Sequence, residues 1–464
     1  MHKFSSVRAK SSILTVLCES SDRDTEDRLP SLWTMTQQEL IQKANRYFVG
    51  GGNGEFRLPP EANIVVSHGQ GSRFYDVDGK EYIDFLLGSG PMILGHCHPT
   101  VVEAVREQIL KGTTFMALNE PSIRLAERVV EAVPCGEKIR LVTTGSEANS
   151  FAIRAARAFT GRNKFLRFEG SWHGISDTTL HGSRTLDPGD YPETRPDGAG
   201  IPESYSRNVL AVPFNDVDRA RALIEERHEE LAAVVIEPLQ RCILPCSGFF
   251  ESVRELTSFY GIILIFDEVV TGFRMAWGGA QERWGVVPDV AIYGKTISGG
   301  YPLAAICGRE DVMDTMNGWR PADDPKRIIV SGTYNAYPIG AVAGLATLCE
   351  LEKRGVYNRL YDMGGRIKRE INSMGRELSV PLRVGGEGPV LQVLFTEDAE
   401  IVDYMSMFRA DKEKAYRFGV ELIKRGCFVT PFEKIYLSIV HTDEDIDRLL
   451  EKTREVLRDV IARM

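Results

Sequence analysis

Between residues 120 and 310, short and almost wholly apolar runs alternate with longer segments whose apolar positions recur at helical spacing. The short runs are Arg140-Leu141-Val142, Ala233-Val234-Val235-Ile236, Ile262-Ile263-Leu264-Ile265-Phe266 and Val290-Ala291-Ile292-Tyr293. The longer segments cover 123–133, 148–159, 220–230 and 250–260. A strand that is apolar at every position buries both of its faces, whereas a strand with one wet face alternates. Doubly buried strands interleaved with helices predict an α/β domain with a mainly parallel sheet and helices on both faces. From 345 onward the pattern becomes α+β, with helices near 340–353 and 357–377, then strands, then a terminal helix from Asp443. The expected organisation is a large domain over 111–340 and a smaller α+β domain built from 36–110 and 341–464. Residues 1–35 read as a disordered extension. Their apolar run at 13–17 is short, and acidic residues follow where a signal peptide would carry a cleavage site.

Composition narrows the class. The chain has 464 residues, 43% hydrophobic and 26% charged, which suits a soluble protein of two or three domains. A net charge of -9 without any basic run argues against a nucleic-acid surface. No apolar stretch approaches the roughly 18 residues needed to cross a bilayer. Eight scattered cysteines have no disulfide-scaffold spacing, which fits free thiols in the cytoplasm. Cys242 and Cys246 lack a second ligand pair nearby, and His96-Cys97-His98 has no carboxylate ligand in view, so no metal is expected.

Four segments carry chemistry. Asp267-Glu268 closes an apolar strand, and ligands of open α/β sheets bind at such carboxyl edges. Taken alone, the pair also suits a solvated loop or a helix cap. Gly294-Lys295 follows the strand at 290–293, one crossover further on. A lysine against apolar walls loses its proton readily, as a nucleophilic amine requires; a surface lysine is the alternative. Thr143-Thr144-Gly145-Ser146-Glu147-Ala148-Asn149 leads a strand into a helix, where unpaired amides and the helix dipole attract a phosphate. A plain N-cap by Thr144 or Ser146 is the alternative there. Gly170-Ser171-Trp172-His173-Gly174 puts an aromatic on a tight turn, able to lie flat on a heterocycle or to fill the core.

Together these segments resemble the class III aminotransferases, and most of all their glutamate-1-semialdehyde aminomutase branch. The resemblance covers about residues 45–460. It also rests on Gly95-His96-Cys97-His98-Pro99, Glu237-Pro238, Phe266-Asp267-Glu268 through Thr271-Gly272-Phe273-Arg274, Gly299-Gly300, Ser331-Gly332-Thr333, Pro431-Phe432-Glu433 and Leu437-Ser438-Ile439-Val440-His441-Thr442. It implies a fold type I transferase that uses pyridoxal 5'-phosphate. Lys295 then carries the cofactor as a Schiff base and shuttles protons. Asp267 pairs with the pyridine nitrogen, Gly145 and Ser146 hold the phosphate, and Trp172 stacks on the ring with His173 beside it. Gln240 sits near the ring hydroxyl, and Glu237 orients that layer. Thr333 reaches the phosphate of a neighbouring subunit, which implies a homodimer. Arg57 and Glu433 face the substrate.

Three departures bear on the substrate. Gly88-Ser89-Gly90-Pro91 lacks the tryptophan of the aminomutase pattern, Gln240-Arg241-Cys242 lacks its asparagine, and a charged, proline-containing segment spans 319–327. They favour an intermolecular transaminase working in ping-pong fashion on a small amino donor and a keto acid or aldehyde acceptor. The alternative is the intramolecular aminomutase. For Arg57, a guanidinium would grip a substrate carboxylate through two charge-assisted bonds. Arg57→Ala is therefore expected to lose on the order of 2–3 kcal/mol in kcat/KM toward an amino acid and almost nothing toward its decarboxylated amine. Equal losses on the two substrates would rule that role out.

Overall fold

The computed structural model describes residues 35–52, 54, 58–184 and 191–464. The extension expected at 1–35 lies outside the described residues, Met35 excepted. Two compact units emerge. Among the described residues, the first takes in those up to Ser67 together with Tyr75–Lys80, and the second His68–Phe74 with Glu81–Met464. In the first, helix α1 (Gln37–Tyr47) starts at Thr36, whose hydroxyl accepts from the Glu39 amide while Glu39 reaches back to the Thr36 amide at 2.9 Å. That reciprocal pair satisfies two of the amides a helix start leaves unpaired.

The second unit is built on a seven-stranded sheet. Before it in the chain come β1 (Glu81–Asp84), α2 (Pro99–Ile109) and α3 (Glu120–Ala132). The sheet strands are β2 (Lys138–Val142), β3 (Lys164–Phe168), β4 (Val209–Val212), β5 (Leu231–Ile236), β6 (Ile263–Glu268), β7 (Val290–Tyr293) and β8 (Ala304–Gly308), in the order β2-β8-β7-β6-β5-β3-β4. Neighbours from β7 to β4 pair in parallel, and β8 runs antiparallel to both β2 and β7. The parallel pairs need helical crossovers, whereas β7 reaches β8 through a short turn without one.

Side chains alternate between two cores, as a strand's period of two requires. On β6, Leu264 and Phe266 pack with Leu125 and Val129 of α3 and with Phe250 and Val253 of α6 (Phe249–Tyr260). Ile263 and Ile265 pack on the other face against Ala152, Ile153 and Ala156 of α4 (Gly145–Thr160). Burying such a Leu, Ile or Phe contributes about 1.5–3 kcal/mol, so a strand apolar on both faces is stable only between two helical layers. Helix α7 (Pro338–Leu351) is buried on most sides and lies on the turn after β7. A side chain at Gly344 would collide with the Ile297 carbonyl, and one at Gly299 with the Thr347 hydroxyl.

The sequence pattern picks out four of these seven strands. It passes over β3, whose apolar run Arg167 interrupts, and over β4 and β8, although these are no shorter than β7, which it finds. Arg167 is fully buried, and its two terminal nitrogens donate to the Thr179 carbonyl at 2.7 Å and the Ser183 hydroxyl at 3.0 Å, while its Nε finds no partner among the described residues. Residues from both sides of the large sheet complete the unit. β1 pairs in parallel with β11 (Cys427–Phe428), and a three-stranded sheet joins β9 (Arg383–Glu387), β10 (Val390–Leu394) and β12 (Ile435–Tyr436).

Helix α8 (Val356–Glu377) crosses this region with Gly364 against backbone: a side-chain carbon there would lie 1.8 Å from the Gly388 carbonyl oxygen. Glycine to alanine inside a helix ordinarily stabilises by about 0.5–1 kcal/mol. Gly364→Ala is expected to destabilise instead, by about 1–3 kcal/mol, because backbone cannot give way as a side chain can. Urea unfolding of both proteins checks the sign.

Candidate active site

Six strands, β2, β7, β6, β5, β3 and β4, run the same way, and the first five of them end beside the site residues on one edge of the sheet. Asp267 of β6 stands opposite Ile292 of β7, and Lys295 follows two residues after β7 ends. Ile236 stands opposite Phe266, so Glu237 comes off the edge beside Asp267. β3 runs into the turn at 170–174, and β2 into the start of α4. A cavity of about 440 Å³ opens there, lined among others by Gly145, Ser146, Trp172, Asp267, Lys295 and Tyr301.

Lys295 has a φ of 47°, a left-handed conformation that costs a non-glycine residue about 1 kcal/mol or more. The Ser298 hydroxyl holds the turn by donating to the Lys295 carbonyl at 2.6 Å, and α7 braces it from behind. Asp267 is buried. Its Oδ2 accepts from the Asn149 amide at 2.9 Å and from His173 Nδ1 at 2.8 Å. Among the described residues, its Oδ1 accepts only from the Val269 amide, at 3.2 Å within its own turn. That leaves one carboxylate oxygen with capacity for a further donor, on a residue that lines the cavity.

The start of α4 is capped by Thr144, whose hydroxyl accepts from the Glu147 amide at 3.2 Å, while Glu147 accepts from the Thr143 and Thr144 amides at 3.0 and 2.9 Å. These bonds leave the Gly145 and Ser146 amides as the helix-start donors beside the cavity. Position 145 is close-packed, since a side-chain carbon there would meet Val269 at 3.0 Å. Only glycine fits at 174, which presses on Ser146 with a φ of 93°. The Ser146 hydroxyl accepts from the Ile175 amide at 3.3 Å.

Trp172 is 37% exposed and lines the cavity, with the Arg184 guanidinium 5.4 Å from its ring centre. Its amide donates to Glu237 at 3.1 Å. Glu237 in turn is paired with Lys434, 3.3 Å away and just before β12. Burial alone would raise the Glu237 carboxyl, but the Lys434 ammonium and Arg241 guanidinium outweigh it and hold the group below its usual range. Lys434 is held above its own usual value by the same pairing, so both partners are ionised. Gln240 is buried and donates to the Glu169 carbonyl at 2.5 Å, behind the Trp172 turn.

Lys295, Asp267, Gly145, Ser146 and Trp172 thus meet at one cavity, with His173, Glu237 and Gln240 supporting it from behind. Glu433 is not brought there. It is exposed, 4.0 Å from Arg241, beside a separate small hollow. Thr333 is exposed on a turn and does not line the cavity of its own chain. Arg57 lies outside the described residues. The sequence reading missed Asn149 and Lys434. A polar residue in the first turns of an otherwise alanine-rich helix face was the available signal for Asn149. Nothing in the sequence marks Lys434 as buried.

The donors fit a phosphorylated pyridine: a helix-start cup for the phosphate, a carboxylate with a vacant lone pair for the ring nitrogen, a flat aromatic face and an amine. Fold and site together define a fold type I pyridoxal-phosphate-dependent enzyme, with pyridoxal 5'-phosphate as its cofactor. More narrowly, the chain belongs to the class-III aminotransferases, whose family model matches residues 58–457. It is 38% identical over 430 residues to the glutamate-1-semialdehyde 2,1-aminomutase of Methanocaldococcus jannaschii, covering 90% of this chain and 97% of that one. Among solved structures it superposes on an omega-transaminase from Sphaerobacter thermophilus with a TM-score of 0.86 at 33% identity, covering 94% of this chain and 99% of that one. A glutamate-1-semialdehyde aminomutase from Pseudomonas aeruginosa, in complex with PMP, shares the fold at a TM-score of 0.79 and 24% identity, covering 91% and 94% of the two chains.

Removing one partner of a buried ion pair strands the other, at a cost of about 3–5 kcal/mol. Lys434→Met is expected to destabilise the protein by that order above the carboxylate range. The Glu237 carboxyl is held below its usual value when folded, so its contribution is present above the unfolded-state value and fades as pH falls through the folded one. The stability gap between wild type and Lys434→Met should therefore narrow on acidification. Chemical unfolding near pH 7.5 and near pH 3 measures both gaps, and a gap independent of pH contradicts the pairing.

Proposed function

We propose that the protein moves an amino group within a small carboxylate-bearing substrate, in the manner of a 2,1-aminomutase, with Lys295 as covalent anchor and proton carrier. The observation that carries the reading is the 38% identity to the Methanocaldococcus jannaschii aminomutase along nearly the whole of both chains. It reverses the preference for intermolecular transfer drawn from the departures at 88–91 and 240–242. Moving the amine of glutamate-1-semialdehyde from C2 to C1 turns C2 into a ketone and C1 into an aminomethyl group. The product, 5-amino-4-oxopentanoate, has the same atoms, so no second substrate is consumed.

When bound, pyridoxal 5'-phosphate supplies an electrophilic carbon for amines and a ring that takes up the electron pair released as a neighbouring C–H bond breaks. Asp267 keeps a proton on the ring nitrogen, which deepens that electron sink. The Lys295 amine would move the proton between a substrate carbon and the cofactor carbon that carries the amine, as general acid and base. Gly145 and Ser146 hold the phosphate through amides and a hydroxyl, and Trp172 covers one face and excludes water. Gln240 and Glu237 keep the Trp172 turn in register. Arg57 reads the substrate carboxylate.

The proposed assembly is a homodimer, in which Thr333 of a second copy completes the phosphate cup. The exposed position of Thr333, away from its own cavity, supports that arrangement. The proposed compartment is the cytoplasm. No helix among the described residues is long and apolar enough to cross a membrane.

Intermolecular transamination is a second reading, favoured by the Sphaerobacter thermophilus omega-transaminase at 33% identity. The two are separated by supplying glutamate-1-semialdehyde alone. The aminomutase reading expects conversion to 5-amino-4-oxopentanoate without any keto acid. Turnover that requires an amine donor together with pyruvate or 2-oxoglutarate gives the transaminase instead. Under either reading Lys295→Ala should abolish turnover and the borohydride-sensitive absorption; a fully active variant would remove Lys295 from the mechanism.

A further inference from the structure

We infer that Asn149 is a positioning residue that ties the phosphate end of the cofactor site to its ring-nitrogen end. The inference rests on assigning those ends to the start of α4 and to Asp267.

Asn149 lies one turn into α4 and is 1% exposed. Its side-chain nitrogen donates to the Gly145 carbonyl at 3.1 Å and to Asp267 Oδ2 at 2.9 Å. Both partners are acceptors, which fixes the orientation of the amide. The same geometry leaves Asn149 Oδ1 buried with no hydrogen-bond partner among the described residues. Asparagine is poorer than alanine or leucine inside a helix, and an unpaired buried acceptor forfeits its hydration. Helix stability therefore does not account for this side chain, least of all between the buried alanines 148 and 152.

The two bonds account for it. One ends on the residue whose amide faces the phosphate position. The other ends on the carboxylate that faces the ring nitrogen. Phosphate and ring nitrogen are opposite ends of one rigid molecule, so both anchors work at full strength only at a fixed separation. α4 and β6 belong to different layers, helix and sheet. Asn149 locks their spacing at the level of the site. Leucine has the size but no donor. Aspartate has the shape but sets carboxylate against carboxylate.

The test is a binding cycle on the apoprotein, with pyridoxal 5'-phosphate and pyridoxal as probes and equilibrium dialysis as the readout. Asn149→Leu should weaken pyridoxal 5'-phosphate about tenfold or more, the size expected when a hydrogen bond to a charged group is lost. It should weaken pyridoxal less, so the advantage conferred by the phosphate shrinks. That non-additivity is the signature of coupling between the two ends. Equal losses on both probes, or no loss, overturn the tie. Circular dichroism melting of the apoproteins shows whether each variant folds. Should the leucine variant fail to fold, Asn149→Asp keeps the shape and is expected to show the same shrinkage with a shifted absorption maximum of the bound cofactor. Wild-type affinity and wild-type phosphate advantage in that variant overturn the inference. A wild-type protein that binds neither probe sinks the cofactor assignment itself, a result distinct from failure of the tie alone.

Discussion

The burial of both faces of one parallel sheet governs this structure. A strand such as Leu231–Ile236, with every residue buried, has no wet side to offer. Helices must cover it above and below, and each crossover returns the chain to the same edge. Five strand ends thereby converge on one rim, and what emerges there is whatever residue follows each apolar run. Asp267, Glu237, Lys295, Trp172 and the α4 start come together for that reason, from positions scattered over some 150 residues of sequence.

The rim holds several buried charges, and each is stabilised differently. Glu237 is offset by Lys434. Arg274 is fully buried with no carboxylate partner among the described ion pairs. It donates to the Thr296 hydroxyl at 2.9 Å and to the Gly90 carbonyl, and lies 5.2 Å from the centre of the Tyr436 ring. Burial pushes its guanidinium down to about 10, which still leaves it charged near neutrality. That cation joins the loop at 88–91 to the turn that carries Lys295. Because this loop departs from the aminomutase pattern, the wall it forms is where a change of substrate can enter while the cofactor site stays unchanged.

The fold was readable because the apolar runs at 233–236 and 262–266 admit few other interpretations. The arginine-bearing β3 was not readable, since the carbonyl and hydroxyl that accept from Arg167 come to it only through the tertiary fold. At the site, residues that act as single points on strand ends were legible from motif and position: Lys295, Asp267, Gly145 and Ser146. Those that act through a partner were not. Asn149 takes its meaning from Asp267, and Lys434 from Glu237, each more than a hundred residues away. Glu433, next to Lys434, was assigned to the substrate by resemblance, yet it is the lysine that turns inward.

The pair Asp267-Glu268 shows how finely position decides chemistry. The two carboxylates are consecutive on β6 and both buried, but a strand sends them to opposite faces. Glu268 turns away from the cavity and accepts from the Ala280 amide at 2.6 Å, the Thr271 hydroxyl at 3.0 Å and the Gln281 side chain at 3.0 Å. Those donors are neutral, and burial outweighs them, raising its carboxyl to about 7. It knits the loop after β6 and has no open lone pair facing a ligand. Asp267 faces the cavity and has a histidine among its donors, a group able to carry positive charge. A one-residue slip of β6 would turn Asp267 to the other face of the sheet, away from Asn149, His173 and the cavity. The register of β6 against β7, Asp267 opposite Ile292, is therefore as much a part of the site as the side chains it presents.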